Sequence, residues 1–340
     1  MNNHKNKQFI KVALLLDTSN SMDGLIDQAK AQLWSIVNEL SYAKCNNERP
    51  NLQIALYEYG NDNLSSHEGY IRQVLGFTND LDDISKELFS LTTNGGSEFC
   101  GQVIQTSLNQ LDWGKNPDDL KLIFIAGNEP FNQGKINYKH SAVNANEKDI
   151  TVNTIFCGNY QQGVATLWKD GAKLTNGDYL AIDHNQKTVH IASPYDDTIL
   201  ELNKKLNNTY IAYGKRGSAK IAIQMDQDSE AESYSKANAV GRTISKSSHF
   251  YKNSTWDLVD AIEEKVVEVE KIVEVEKIVE VEKIVEVEKI VEVVDESIQD
   301  KFNKLEARYN TVKKQLTASQ DSQQKIKEIQ VEVPASGDLR

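Results

Sequence analysis

The chain has 340 residues, room for one large domain with appendages or for two ordinary ones, with a net charge of −12 and a mean hydropathy of −0.53. Thirteen Asp and Glu against five Lys lie between Glu263 and Glu296, so one stretch holds −8 of that charge and the remainder is only mildly acidic. The lack of a basic stripe argues against nucleic acid as a partner, and Cys45, Cys100 and Cys157, odd in number and without C-x-x-C spacing, exclude a disulfide framework and a zinc site.

Residues 1–8 are polar, with no apolar core of secretory length, and no later span of about twenty apolar residues is long enough to cross a membrane. As written, the expected location is the cytoplasm; export would require a start that has been trimmed or misassigned. Val12-Ala13-Leu14-Leu15-Leu16, bounded by Lys11 and Asp17, reads as a strand buried on both faces, as in parallel sheets covered by helices. Where it ends, Asp17-Thr18-Ser19-Asn20-Ser21 sets one carboxylate and two hydroxyls at alternating positions. Ligands of α/β sheets bind beyond the carboxyl ends of the strands, and oxygens converging there suit Mg²⁺. The alternative reading makes Ser19, Asn20 or Ser21 a cap for the helix through Ile26, Ala29, Leu33, Ile36, Val37 and Leu40.

This strand and its Asp17-Thr18-Ser19-Asn20-Ser21 loop resemble the von Willebrand factor A domain and its metal-ion-dependent adhesion site. The resemblance implies a Rossmann-like, doubly wound, mostly parallel α/β fold. It also implies binding of a partner protein, often through a divalent cation that an acidic group of the partner completes.

Downstream come a turn at 45–50, a strand at 52–59, a loop at 60–66 and a strand at 70–75, placed at the sheet edge. Leu81, Ile84, Leu88 and Leu91 mark a helix over 80–91. Asn94-Gly95-Gly96-Ser97-Glu98 then leads into a helix through Val103, Ile104, Ser107, Leu108 and Leu111. By local pattern Ser97 is an N-cap after a flexible turn. By the resemblance it is the second metal-site loop, its hydroxyl standing for the family's Thr. Glu98 either adds charge to that site or complements the helix dipole. The strand at 120–126 runs into Gly127-Asn128-Glu129, and Ala126-Gly127-Asn128 stands where the family usually has Thr-Asp-Gly. Gly127 has no side chain to coordinate with. Either Glu129 or a water held by Asn128 fills the gap, or metal binding is weak or absent. The resemblance therefore names Asp17, Ser19, Ser21, Ser97 and Glu129 as candidate ligands of Mg²⁺, with Asn20, Asn94, Glu98 and Asn128 forming the rim around it.

A strand at 150–157, a helix at 166–172, short strands at 177–183 and 188–192 and a helix at 196–206 complete a domain over 9–214. A connecting segment over 215–265 holds a helix near 226–239 and a capping box, Ser254-Thr255-Trp256-Asp257. Within 266–294 the unit Val-Glu-Val-Glu-Lys-Ile repeats four times. A period of six leaves no continuous apolar stripe on a helix, whereas it keeps a fixed alternation on a strand. An extended acidic spacer or self-pairing stalk is expected, with a Glu268 to Lys271 paired helix as the alternative. Ile298, Phe302, Leu305, Tyr309, Val312 and Leu316 form a coiled-coil seam over 295–330. That helix either makes a homo-oligomer or docks on its own domain, and 331–340 form a disordered tail.

Three functions fit these features: a cation-dependent protein-binding module, a metal-independent interaction scaffold, and a phosphoryl-transfer hydrolase with Asp17 as nucleophile. Catalysis is not expected. Ser19 stands where a D-x-D phosphatase carries its second carboxylate, and no lysine-bearing P-loop, G-x-S-x-G elbow or H-E-x-x-H occurs.

Overall fold

The computed structural model describes residues 8–43, 49–182 and 193–264, together with Ala307, Asn310, Thr311 and Lys314. The repeat at 266–294, the coiled-coil seam as a whole, both termini, most of the turn at 45–50 and the strand expected at 188–192 lie outside the described residues.

Six strands form one sheet: β1 (Phe9–Asp17), β2 (Asn51–Tyr59), β3 (Ile71–Thr78), β4 (Leu120–Gly127), β5 (Ile150–Cys157) and β6 (Tyr179–Ile182). Their order is β3-β2-β1-β4-β5-β6. All neighbours run parallel except β3, which pairs antiparallel with β2; β3 lies at the edge, the position expected of it. The order reverses on either side of β1, so the loops leaving β1 and β4 part company there and open a crevice above the carboxyl ends. Flanking the sheet are α1 (Asp23–Leu40), α2 (Leu81–Ser90), α3 (Cys100–Gln110), α4 (Tyr138–Asn146), α5 (Tyr160–Ala165) and α6 (Trp168–Lys173). Successive strand side chains face opposite layers. Ala13, Leu15, Tyr57, Tyr59, Ile123 and Ile125 thus share one buried cluster with Val103, Ile104, Leu108 and Trp168 of α3 and α6. This is the mostly parallel α/β fold that the strand pattern implied.

Several local readings need correction. The helix expected at 166–172 is α6, which starts two residues later because Leu167 adopts a left-handed backbone (φ 72°), and a separate short helix, α5, precedes it. Sequence periodicity missed α4 because its buried face, Tyr138, Ser141, Ala142 and Ala145, is mostly small. That smallness allows close approach, and the Ser141 hydroxyl donates to the Gly101 carbonyl of α3 (2.7 Å). The helix expected near 226–239 is interrupted. α8 (Gly214–Tyr234) stops at Ser235, whose extended backbone and side-chain acceptor for the Asn238 N–H start α9 (Lys236–Lys246). The buried positions of α8 include Gln224 and Gln227, so its inward face does not read as apolar. The expected capping box is displaced by one turn: the helical residues 258–264 follow Asp257, whose carboxylate accepts from the Asp260 N–H (3.4 Å).

The sheet and α1 to α6 form one compact unit, to which residues 248–251 also belong. There the Tyr251 hydroxyl donates to Asp82 (2.7 Å). A second unit holds α7 (Asp196–Asn207), α8 and α9, so the helix read from 196–206 groups with the helices after it. Its interior is polar. The Asp228 carboxylate meets Arg242 (2.6 Å), Lys246 (2.9 Å), Asn203 (2.9 Å) and Asn207 (2.7 Å). Burial pushes the Asp228 carboxyl up, but Lys246 and Arg242 outweigh it and hold it well below the usual carboxylate range. No helix among the described residues is long and apolar enough to cross a membrane.

Candidate functional site

Three loops meet above the carboxyl ends of β1, β2 and β4. In the first, Asp17 ends β1 and is fully buried. Its Oδ1 accepts the Ser19 backbone N–H (2.8 Å), and the Thr18 N–H reaches the Tyr59 carbonyl of β2 (2.8 Å). These two bonds fold the chain so that the Ser19 and Ser21 hydroxyls lie 3.3 Å apart. Neither caps α1, whose N-cap position is Met22 without a side-chain bond. The capping alternative therefore does not account for the hydroxyls.

The second loop hangs from the first. The Asn94 N–H bonds the Thr18 carbonyl (3.0 Å), and the Asn94 amide donates to Asn63 (2.9 Å) on the loop after β2. Gly96 is required here. With φ at 134°, a Cβ on it would sit 1.5 Å from the Gly60 carbonyl oxygen. The Gly95-Gly96 pair thereby lets the loop cross Gly60 and brings Glu98 toward Asp17, while Ser97 makes no hydrogen bond to the first or third loop among the described residues. Ser97 is half-exposed and does not cap α3, whose N-cap position is Phe99. Glu98 is buried, and its Cγ and Asp17 Oδ1 both lie within 3.0 Å of the point where a Gly60 side chain would begin.

The third loop explains the missing carboxylate. A Cβ on Gly127 would fall 2.6 Å from the Tyr59 hydroxyl, 3.0 Å from Asp17 Oδ2 and 3.1 Å from Trp168. The Tyr59 hydroxyl is fixed there by donating to the Ala126 carbonyl (2.9 Å). Tyr59, in register with Asp17 on the neighbouring strand, fills the place that a longer side chain at 127 would need. Asn128 instead bonds the Ser21 hydroxyl (3.1 Å), joining the first and third loops. Glu129 accepts from the Gln133 amide (3.1 Å), and its backbone carbonyl takes the Trp168 indole N–H (2.8 Å).

The structure thus brings together Asp17, Ser19, Ser21 and Asn128 by direct bonds and sets Glu98 beside Asp17. Asn94 ties the loops, Asn20 is exposed, and Glu129 acts on Asp17 through its charge. Sequence reasoning did not pick out Tyr59 or Gly60. A Tyr-Gly pair closing a strand was the available trace, but only the register of β1 and β2 shows what it touches.

The electrostatics are one-sided. Burial, more than anything else, pushes the Asp17 carboxyl up to about 7, and the charges of Glu98 and Glu129 add to it, against hydrogen bonds from Ser19. Glu98 is also raised, first by burial and then by Glu129 and Asp62. Asp17 Oδ2 is buried without a hydrogen-bond partner among the described residues. A buried carboxylate oxygen with no donor and two hydroxyls on its own loop is a donor set that fits a small hard cation. Against this, no group of three or more His, Cys, Asp or Glu placed to hold a metal occurs among the described residues.

Residues 11–167 match the family model of the von Willebrand factor type A domain. Among solved structures, the conserved hypothetical protein BatB from Bacteroides thetaiotaomicron aligns at 17% identity over 51% of this chain and 90% of its own, with a TM-score of 0.40. The SpRpn10 VWA domain aligns at 15% identity over 53% of this chain and 99% of its own, with a TM-score of 0.38. Proximal thread matrix protein 1 from the mussel byssus, solved with a zinc-occupied MIDAS motif, aligns at 10% identity over 53% of this chain and 43% of its own, with a TM-score of 0.39. No curated protein matches the chain by sequence. The family match spans the sheet from β1 through β5 and includes all three rim loops, and on that ground the chain carries a von Willebrand factor type A domain.

Proposed function

We propose that the three-loop rim binds a partner protein through a divalent cation, with Asp17, Ser19, Ser21 and Ser97 as the residues that would hold it. The observation that carries this reading is the orphaned, fully buried Asp17 Oδ2 on the loop of the paired Ser19 and Ser21 hydroxyls. A bound cation would supply the missing positive charge and an open position for an acidic group of the partner. The role is recognition, not catalysis, and the segment 295–330, with its heptad pattern of apolar residues, joins copies of the chain.

Titration of MgCl₂ or MnCl₂ into the full chain at pH 8 tests the first part. A cation that binds only the folded state is expected to stabilise it by about 2.7 kcal/mol at one hundred times its dissociation constant, seen as a rising melting temperature. Asp17→Ala is expected to abolish the rise. A partner captured equally well with and without EDTA would favour the metal-independent scaffold, which Gly127 and the Asn128 to Ser21 bond also support. Phosphatase activity lost in Asp17→Asn would revive the hydrolase.

A further inference from the structure

Asp17 and Glu98 approach each other over Gly60: the Glu98 Cγ and Asp17 Oδ1 both fall within 3.0 Å of the point where a Gly60 side chain would begin. The Ser19 hydroxyl lies 3.3 Å from the Ser21 hydroxyl, and it is the Ser19 backbone N–H that bonds Asp17 Oδ1. Among the described residues no ion pair reaches either carboxylate. Both carboxylates belong to buried residues. Asp17 Oδ2 has no hydrogen-bond partner among the described residues. Buried anions without a counter-charge are costly, and a cation relieves them.

The third loop is not where that cation finds its second carboxylate. Position 127 is closed by Tyr59 and Trp168. Glu129 has its carboxylate engaged by Gln133 and its backbone held by Trp168. Glu98 is differently placed: it is buried, follows the glycine pair, and its Cγ and Asp17 Oδ1 both lie within 3.0 Å of one point over Gly60.

We infer that Glu98 replaces the missing third-loop carboxylate, so that the cation sits between the first and second loops on Asp17, Ser19 and Glu98, with Glu129 outside the ligand set. The inference rests on the cation-dependent reading above and adds to it the identity of the second acidic ligand. It also gives a reason for a glutamate directly after Ser97, where the helix-dipole role needs no contact with β1.

The test is Mn²⁺ binding to the full chain at pH 8, read as loss of the free-ion electron paramagnetic resonance signal, for wild type, Glu98→Gln and Glu129→Gln. Wild type is expected to bind one ion. Glu98→Gln is expected to weaken binding at least tenfold, while Glu129→Gln stays within about twofold. Misfolding is separable, because Glu98→Gln removes a repulsive charge: its melting temperature in EDTA is expected to match or exceed wild type while its Mn²⁺-induced rise is lost. Wild-type binding that survives in Glu98→Gln, or that is lost in Glu129→Gln alone, would overturn the inference and leave the cation reading standing. No binding by wild type would overturn both.

Discussion

Gly127→Asp, which writes the family's third-loop carboxylate into this chain, is expected to destabilise the protein by about 4 kcal/mol or more without restoring a stronger metal site. The new Cβ would meet the Tyr59 hydroxyl at 2.6 Å and Trp168 at 3.1 Å, both side chains being fully buried. Overpacking of that kind costs roughly 1–3 kcal/mol. The added carboxylate would also lie beside Asp17 Oδ2, already uncompensated, and burying a second unpaired charge adds several kcal/mol more. Gly127→Ala isolates the steric part and is expected to cost about 2 kcal/mol in urea unfolding. Tyr59→Phe removes the nearest atom, so in that background the same alanine should cost less, with a coupling above about 0.5 kcal/mol. A Gly127→Asp protein that melts at the wild-type temperature and gains a larger Mg²⁺ response would show that the Tyr59 and Trp168 wall is not what keeps the third loop empty.

In EDTA the wild-type protein is expected to lose stability as the pH rises from 4 to 8. A carboxyl raised by folding binds its proton more tightly in the native state, so stability is complete below the unfolded value and declines until the folded value is passed. For Asp17 those limits are 3.8 and about 7, a decline of about 4 kcal/mol from this residue. Glu98, raised by burial, has the same sign. So does Asp257 in the helical unit, raised to about 6 by burial and then by Asp260. Asp228 acts oppositely, since its carboxyl is held low; its contribution is lost only at acid pH. Asp17→Asn keeps an acceptor for the Ser19 N–H and carries no charge. Its melting temperature is expected to fall much less between pH 5 and 8, and at pH 8 without metal it should exceed wild type. Mg²⁺ should flatten the wild-type profile, because the cation competes with the proton for Asp17. A wild-type melting temperature that is level from pH 5 to 8 in EDTA would remove the basis for an uncompensated Asp17.

How far the site was legible depended on which contacts are local in the chain. Asp17, Ser19 and Ser21 are two residues apart, and a single loop bonded to its own backbone makes their convergence readable from spacing. The glycine pair before Ser97 was readable as a turn, but its purpose, passage across the Gly60 carbonyl, was not. Glu129 was named as a substitute ligand because it is near Gly127 in sequence. Its bond to Gln133, one turn onward, was not visible in the pattern. Polar or small inward faces hid α4 and blurred the limits of α8, since periodicity detects only apolar contrast.

By itself the sequence determined the alternation of buried strands and helices, the edge position of the third strand, and the oxygen-bearing loop at the end of the first. Each of these is written in hydrophobic period or in residues a few positions apart. Only the tertiary structure decided why position 127 must be glycine, which acid approaches Asp17 over Gly60, and that Asp17 Oδ2 is buried without a partner among the described residues. Those facts depend on strand register and loop crossing, which bring Asp17, Tyr59, Glu98 and Gly127 together from four separate parts of the chain. No spacing rule encodes a distance between residues forty or a hundred positions apart; packing sets it.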